Sequence, residues 1–200
     1  RRLGRSGLKV SALSLGSWLT YGGSVGADTS RACLAAAYDA GVNFFDCSEN
    51  YADGQAEAML GESLKALGWP RSGYAVSSKA YWGGERVYQV GTNRKRLNDA
   101  CHAALRRLEV DYLDLFFAHR YDPDTPVEEV VRAMSDLVTQ GKVIYWGTSM
   151  WPAGAIAEAC RIADAHGWHR PQMEQPQYNM FFRDGVERDL AAVCRRHGVG

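Results

Sequence analysis

Short apolar runs alternate along this chain with longer stretches whose apolar positions recur every three or four residues. The runs Ser11–Trp18 (SALSLGSW), Val42–Asp46, Tyr74–Lys79, Tyr112–His119 (YLDLFFAH), Val143–Ser149 (VIYWGTS) and Gln172–Gln177 read as strands. Between them fall helices. Thr29 to Ala40 is one, with Thr29 or Ser30 as its cap and Gly41 as its stop. Gln55 to Leu67 places Ala56, Met59, Leu60, Leu64 and Leu67 on one stripe, and Arg94 to Leu108 does the same with Leu97, Cys101, Ala104, Leu105 and Leu108. Thr125-Pro126-Val127-Glu128 predicts a capping box that opens a helix running to Gly141. Further helices are expected over Pro152–Ala165 and Val186–Arg196, a small hairpin over Leu3–Val10, and a glycine-punctuated aromatic loop over Tyr81–Thr92.

Strand and helix alternating without repeats or linkers imply parallel crossovers, hence an open doubly wound sheet or a closed α/β barrel. A dinucleotide-binding sheet needs G-x-G-x-x-G after its first strand. Here that strand runs into Ser17-Trp18-Leu19-Thr20-Tyr21-Gly22-Gly23, which does not fit. The pattern therefore favours a (β/α)8 TIM barrel, read as one domain over residues 1–200. Such barrels take about 250 residues and eight units. Gly200 stands where a seventh strand would start, so the last two β/α units are expected to be absent from this chain.

Composition narrows the class. A chain of 200 residues with 46% hydrophobic positions can bury one sizeable core, and 23 basic against 23 acidic side chains leave no basic face for nucleic acid. The five cysteines are widely spaced and contain no C-x-x-C, which predicts reduced thiols and a cytoplasmic setting. No apolar run reaches the roughly 18 residues that crossing a bilayer requires, so no membrane insertion is expected.

Candidate chemistry gathers at the strand ends. In Val42–Asp46 alternation puts Val42, Phe44 and Asp46 on one face, so a carboxylate closes an apolar row and needs a cation. Lys79, ending the third strand, is the expected partner. Tyr51 lies in the loop after Asp46, and His119 ends the fourth strand at the rim of the row Leu113, Leu115, Phe117. Each residue alone has a structural explanation, but together they interlock chemically. A phenol keeps its proton at neutral pH and can donate it to a carbonyl oxygen gaining charge. An ammonium steadies the phenolate, an acid holds the ammonium, and the histidine can donate a hydrogen bond to the same oxygen. Hydride must then come from a nicotinamide cofactor. Other features are expected to be inert. Cys47 points to the opposite face from Asp46, His166 and His169 flank a turn with no third ligand, and Arg94-Lys95-Arg96 and Arg106-Arg107 are assigned to solvated helix surface.

The segments FFDCSENYADGQAEAMLG, SSKAYWGG, YLDLFFAHRYDPDTPVEEVVRAM, GKVIYWGTSMW and EQPQYNMF together resemble the aldo-keto reductase family. They look most like the branch that holds microbial aldehyde reductases and voltage-gated potassium channel β subunits. The resemblance implies Tyr51 as general acid, tuned by Lys79 and Asp46, with His119 completing a tetrad. It also implies NADPH (NADP+) as cofactor and a small-molecule carbonyl substrate. Ser149 and Gln175 would hold the nicotinamide carboxamide, with Met150 and Trp18 beside the cofactor. Trp18, Tyr21, Trp82 and Trp151 become candidates for an aromatic substrate pocket. Met150 stands where relatives often carry asparagine or arginine, and the family's 2′-phosphate segment falls beyond Gly200. Channel subunits tend to have asparagine at the position of His119, so histidine leans toward an active reductase. The oligomeric state is left open, a homo-oligomer included. Two competing readings are a cofactor-binding channel-associated subunit with little turnover, and a metal-dependent barrel hydrolase. The absence of H-x-H on the first strand counts against the hydrolase.

Overall fold

The computed structural model describes residues 1–200. Its strands are β1 (Leu15–Gly16), β2 (Phe44–Asp46), β3 (Ala75–Ala80), β4 (Leu113–Ala118), β5 (Val143–Ser149) and β6 (Glu174–Gln175). All pair in parallel, and their order in the sheet is their order in the chain. A doubly wound sheet would reverse that order at some point. This one never does, and it curls into part of a barrel. The helices α1 (Ala27–Asp39), α2 (Gln55–Leu67), α3 (Arg94–Leu108), α4 (Val127–Thr139), α5 (Ala153–His166) and α6 (Ala191–His197) pack each against the next.

Alternation along the strands sorts side chains into two apolar regions. Phe45, Val76, Phe116 and Trp146 join Leu60, Leu97, Met134 and Ile156 in the large cluster between sheet and helices. Leu115, Phe117 and Met173 form a second cluster on the concave side, with Phe44 and Tyr145 against it. Leu3 and Leu8 reach the same inner cluster from the N-terminal hairpin, closed by the antiparallel pairing of Arg2 with Lys9. The inner row that begins with Phe44, Ser77 and Phe117 ends in Asp46, Lys79 and His119, so polar groups crown an apolar floor. Two glycines mark close approaches. A Cβ on Gly61 of α2 would lie 2.5 Å from the Leu108 carbonyl oxygen of α3, and one on Gly147 would strike the Met173 carbonyl beside β5.

Four local expectations need correction. The first strand is only Leu15–Gly16, because few partners extend its ladder. Helix α1 starts at Ala27 behind Gly26, and Ser30 is buried inside it 3.4 Å from Ser63 Oγ rather than capping it. The capping box before α4 does not form: Thr125 Oγ1 donates to Asp122 Oδ2 at 2.7 Å, and Pro126 occupies the cap. The basic runs Arg94-Lys95-Arg96 and Arg106-Arg107 are not wholly solvated. Arg96 is 4% exposed against Glu49, and Arg107 Nε donates to the buried Glu57 at 2.6 Å.

Candidate active site

Register brings the inner row to a common level. Asp46 sits opposite Ser77, Lys79 opposite Phe117, and His119 takes the next rung, its N–H donating to the Ala80 carbonyl at 3.0 Å. Lys79 is fully buried, yet all three of its ammonium contacts are satisfied. Nζ donates to Asp46 Oδ2 at 2.6 Å, to the Cys47 carbonyl at 2.8 Å and to Tyr51 Oη at 3.2 Å. The other carboxylate oxygen of Asp46 accepts from Ser77 Oγ at 2.6 Å. Burial works to discharge Lys79, but Asp46 and then Tyr51 outweigh it and hold the ammonium above the ordinary lysine value.

Burial likewise raises the Tyr51 phenol; Lys79 opposes that shift and Asp46 adds to it. The net direction is upward, so Tyr51 holds its proton through neutral pH. Its oxygen accepts from Lys79, while its own O–H meets no acceptor within the chain. His119 lies edge-on to Tyr51, with ring centroids 6.2 Å apart. Its pKa is depressed to about 3 by burial and then by the Lys79 and Arg120 cations, so the imidazole is neutral. Nδ1 lies 3.1 Å from Ser48 Oγ, and Nε2 has no partner in the chain.

Two indoles stand over this group. Trp18 is 64% exposed and stacks toward Tyr51 at 6.3 Å; Trp82 is 38% exposed and meets His119 edge-on at 5.2 Å. Ser149 and Gln175 pair across β5 and β6, where Ser149 Oγ donates to the Gln175 carbonyl at 2.9 Å. The Gln175 side-chain amide makes no hydrogen bond within the chain. Met150 is exposed, its sulfur accepting from the Gln177 N–H at 3.0 Å. The two other aromatic candidates are buried and make no ring contact with Tyr51 or His119. Tyr21 is buried with its hydroxyl directed to the Ser30 carbonyl of α1, and Trp151 is buried in the large cluster against Tyr121. Both are absorbed by packing between sheet and helices.

The family model described as "Aldo/keto reductase family" matches residues 12–200. This chain belongs to that family. Among its relatives are proteins named "Probable voltage-gated potassium channel subunit beta" from Arabidopsis thaliana and from Oryza sativa subsp. japonica. Each is 44% identical over all 200 residues of this chain, which span 61% of the relative.

In this aldo/keto reductase chain the backbone turns sharply beside the site. Leu19, Ala52 and Met150 have φ of 68°, 46° and 57°, and each directly follows a candidate residue: Trp18, Tyr51 or Ser149. Left-handed backbone at non-glycine residues costs on the order of 1 kcal/mol or more each, and such strain persists where surroundings impose it. Two ion pairs with buried carboxylates, and a third buried acid, also went unread in the sequence. Glu49 accepts from the Tyr81 N–H at 2.8 Å and pairs with Arg96, whose Nε donates to the Gln89 carbonyl at 3.0 Å. That pair ties the Tyr51 loop to the Trp82 loop. Glu57 accepts from Ser78 Oγ at 2.5 Å and from Arg107; burial raises its pKa, with Arg107 opposing. Its signal was available, since Glu57, Leu60 and Leu64 share a stripe at three- and four-residue spacing. Glu174, buried beside Gln175, accepts from Thr148 Oγ1 at 2.6 Å and from the Trp151 N–H at 3.3 Å. Burial lifts its pKa to about 7. Cys47 is fully buried, its thiol pushed up to about 12 by burial, and His166 stacks on Trp168 at 4.3 Å. No helix is long and apolar enough to cross a membrane, and no three His, Cys, Asp or Glu side chains group as a metal site.

Proposed function

We propose that the full-length protein is a cytoplasmic NADPH-dependent reductase of aldehydes or ketones. It is built on a (β/α)8 barrel whose last two units lie outside this chain. The carrying observation is a half-buried phenol with an uncommitted proton, held against a buried ammonium that Asp46 keeps charged. A nicotinamide fits the donor set. Ser149 Oγ retains acceptor capacity, the Gln175 amide is unpaired, Met150 is exposed next to Ser149, and Trp18 is exposed over Tyr51. Ser149 and Gln175 would hold the carboxamide, and the bound cofactor supplies hydride to the carbonyl carbon.

Tyr51 gives its proton to the carbonyl oxygen as that oxygen gains charge. Lys79 stabilises the resulting phenolate at short range in a poorly hydrated site, and Asp46 keeps the ammonium oriented. Neutral His119 abuts the phenol without adding charge. Trp18 and Trp82 flank the pair and would give a small carbonyl compound aromatic surface to lie against. The test follows NADPH oxidation by the full-length protein across an aldehyde and ketone panel, with cofactor binding read from tryptophan fluorescence. Tyr51→Phe is expected to remove turnover and keep cofactor affinity within about twofold. Equal turnover by wild type and Tyr51→Phe overturns the assignment. The channel-subunit names of the relatives favour a second reading, a nicotinamide-binding subunit of a channel assembly; tight NADPH binding with no turnover on any carbonyl supports it.

A further inference from the structure

A cation drawn partly out of water needs an anion or a full set of acceptors, and this chain supplies one to its half-buried arginines with a single exception. Arg31, Arg71, Arg96, Arg107 and Arg170 are half-buried or buried, and each meets an Asp or Glu carboxylate. The exception is Arg120. It is half-buried directly after His119, where β4 opens into the mouth, and it forms no ion pair. One nitrogen, Nη1, donates to the His119 carbonyl at 2.5 Å, and the other guanidinium N–H groups meet no acceptor in the chain.

The free cation stands beside the reacting group. Its central carbon lies 5.0 Å from the centroid of the Trp82 ring, Trp82 meets His119 at 5.2 Å, and His119 meets Tyr51 at 6.2 Å. Its charge is felt across the mouth, helping to hold His119 neutral and opposing the burial that lifts Glu174. Neither residue is its counterion. His119 is uncharged, and the Glu174 oxygens accept from Thr148 Oγ1 and the Trp151 N–H. Asp122, two residues on, is committed to Thr92, Asp124 and Thr125. We propose that Arg120 is a specificity-determining residue that receives a carboxylate carried by the substrate, so that the preferred carbonyl compounds are short oxo acids. The planar guanidinium, braced on an indole, matches a carboxylate with two parallel N–H groups. The substrate class rests on the reductase reading; the anion site does not.

The full-length protein is assayed with NADPH on 4-oxobutanoate and 5-oxopentanoate and on their methyl esters, which keep the reach and lose the charge. Wild type is expected to favour the acids in kcat/KM by at least about tenfold. Arg120→Gln should raise KM for the acids by about 10- to 100-fold, the effect of hydrogen bonds to a charged group, and leave kcat/KM for the esters and NADPH affinity within about twofold. Arg120→Lys keeps the charge without the fork and should fall between the two. Retained turnover of the esters shows that a variant has folded. Equal kcat/KM for acid and ester in wild type, or a preference that survives Arg120→Gln, overturns the proposal. So does a loss of NADPH affinity in Arg120→Gln, because the cation would then be holding a cofactor phosphate. Should neither acids nor esters be reduced, the reductase reading fails and succinate decides the anion site alone. A saturable change in tryptophan fluorescence that Arg120→Gln abolishes upholds the site, and no saturable change in wild type overturns it.

Discussion

Replacing Lys79 by methionine separates the structural and chemical roles of the buried ammonium. The side chain is fully buried and Asp46 is 12% exposed, so the variant leaves a carboxylate in a dry site with only the Ser77 hydroxyl to meet it. Breaking a buried pair from one side costs about 3–5 kcal/mol. With a urea dependence of up to about 3 kcal/mol per molar, the unfolding midpoint should fall by about 1 M or more. The double variant Lys79→Met with Asp46→Asn removes the stranded charge, keeps an acceptor for Ser77, and should recover at least half of that loss. Tyr51→Phe deletes one 3.2 Å hydrogen bond at a half-buried group and should cost no more than about 1 kcal/mol. Urea melts followed by circular dichroism give all three values. Turnover by the full-length protein should be lost in every variant, whatever its stability. The sign of the pH dependence follows from the raised lysine. Its contribution is fully present below the unfolded value of 10.5 and is lost only as pH rises through the higher folded value, so the midpoint gap should stay constant from pH 7 to 10. A loss under about 1 kcal/mol for Lys79→Met, or a double variant no more stable than the single, refutes the reasoning.

Arg96→Met strands Glu49 and unties the Gln89 carbonyl, so amide exchange across the Tyr81–Thr92 loop should quicken at least about tenfold; unchanged protection would mean that Trp82 is held by something else. Glu174 has its folded pKa raised to about 7 from 4.5, so the native state binds the extra proton and stability falls as pH rises through that window by up to about 3 kcal/mol. Glu174→Gln should flatten that slope in urea midpoints taken at pH 5 and 7.5, and a slope equal to wild type would exclude Glu174 as its source.

The sequence was readable where one physical signal dominated. Alternation in Val42–Asp46 and Tyr112–His119 put Asp46 and His119 on the inner row, and parity then located Lys79, because a strand has only two faces. Tyr51 needed more, since a left-handed kink at Ala52 and Asp53 aims its loop, and alanine gives no sign of a φ near 50°. The aromatic candidates divided for a similar reason. Trp18 and Tyr21 lie three residues apart in one polar loop, yet one is 64% exposed and the other 5%. Only the path of the chain over α1 decides which, and that path is tertiary. Capping failed at Thr125 because Asp122 offered its hydroxyl a buried carboxylate that local spacing does not register.

Lys79 favours the phenolate, as the sequence implies, yet in the free chain burial outweighs it and the phenol rises. The two effects belong to different moments. Burial penalises a phenolate standing alone, so at rest Tyr51 is a proton store that does not leak at neutral pH. On the proposed reading, a carbonyl oxygen gaining charge beside it would draw the proton across without adding a charge to the site, with the ammonium 3.2 Å away already in place to steady the phenolate. The same dry surroundings that hold the proton at rest strengthen the Lys79 attraction once it moves, because attraction between charges grows as the local dielectric falls. A neutral His119 fits that division, because a second cation beside Tyr51 would pull the phenol downward and weaken its hold on the proton.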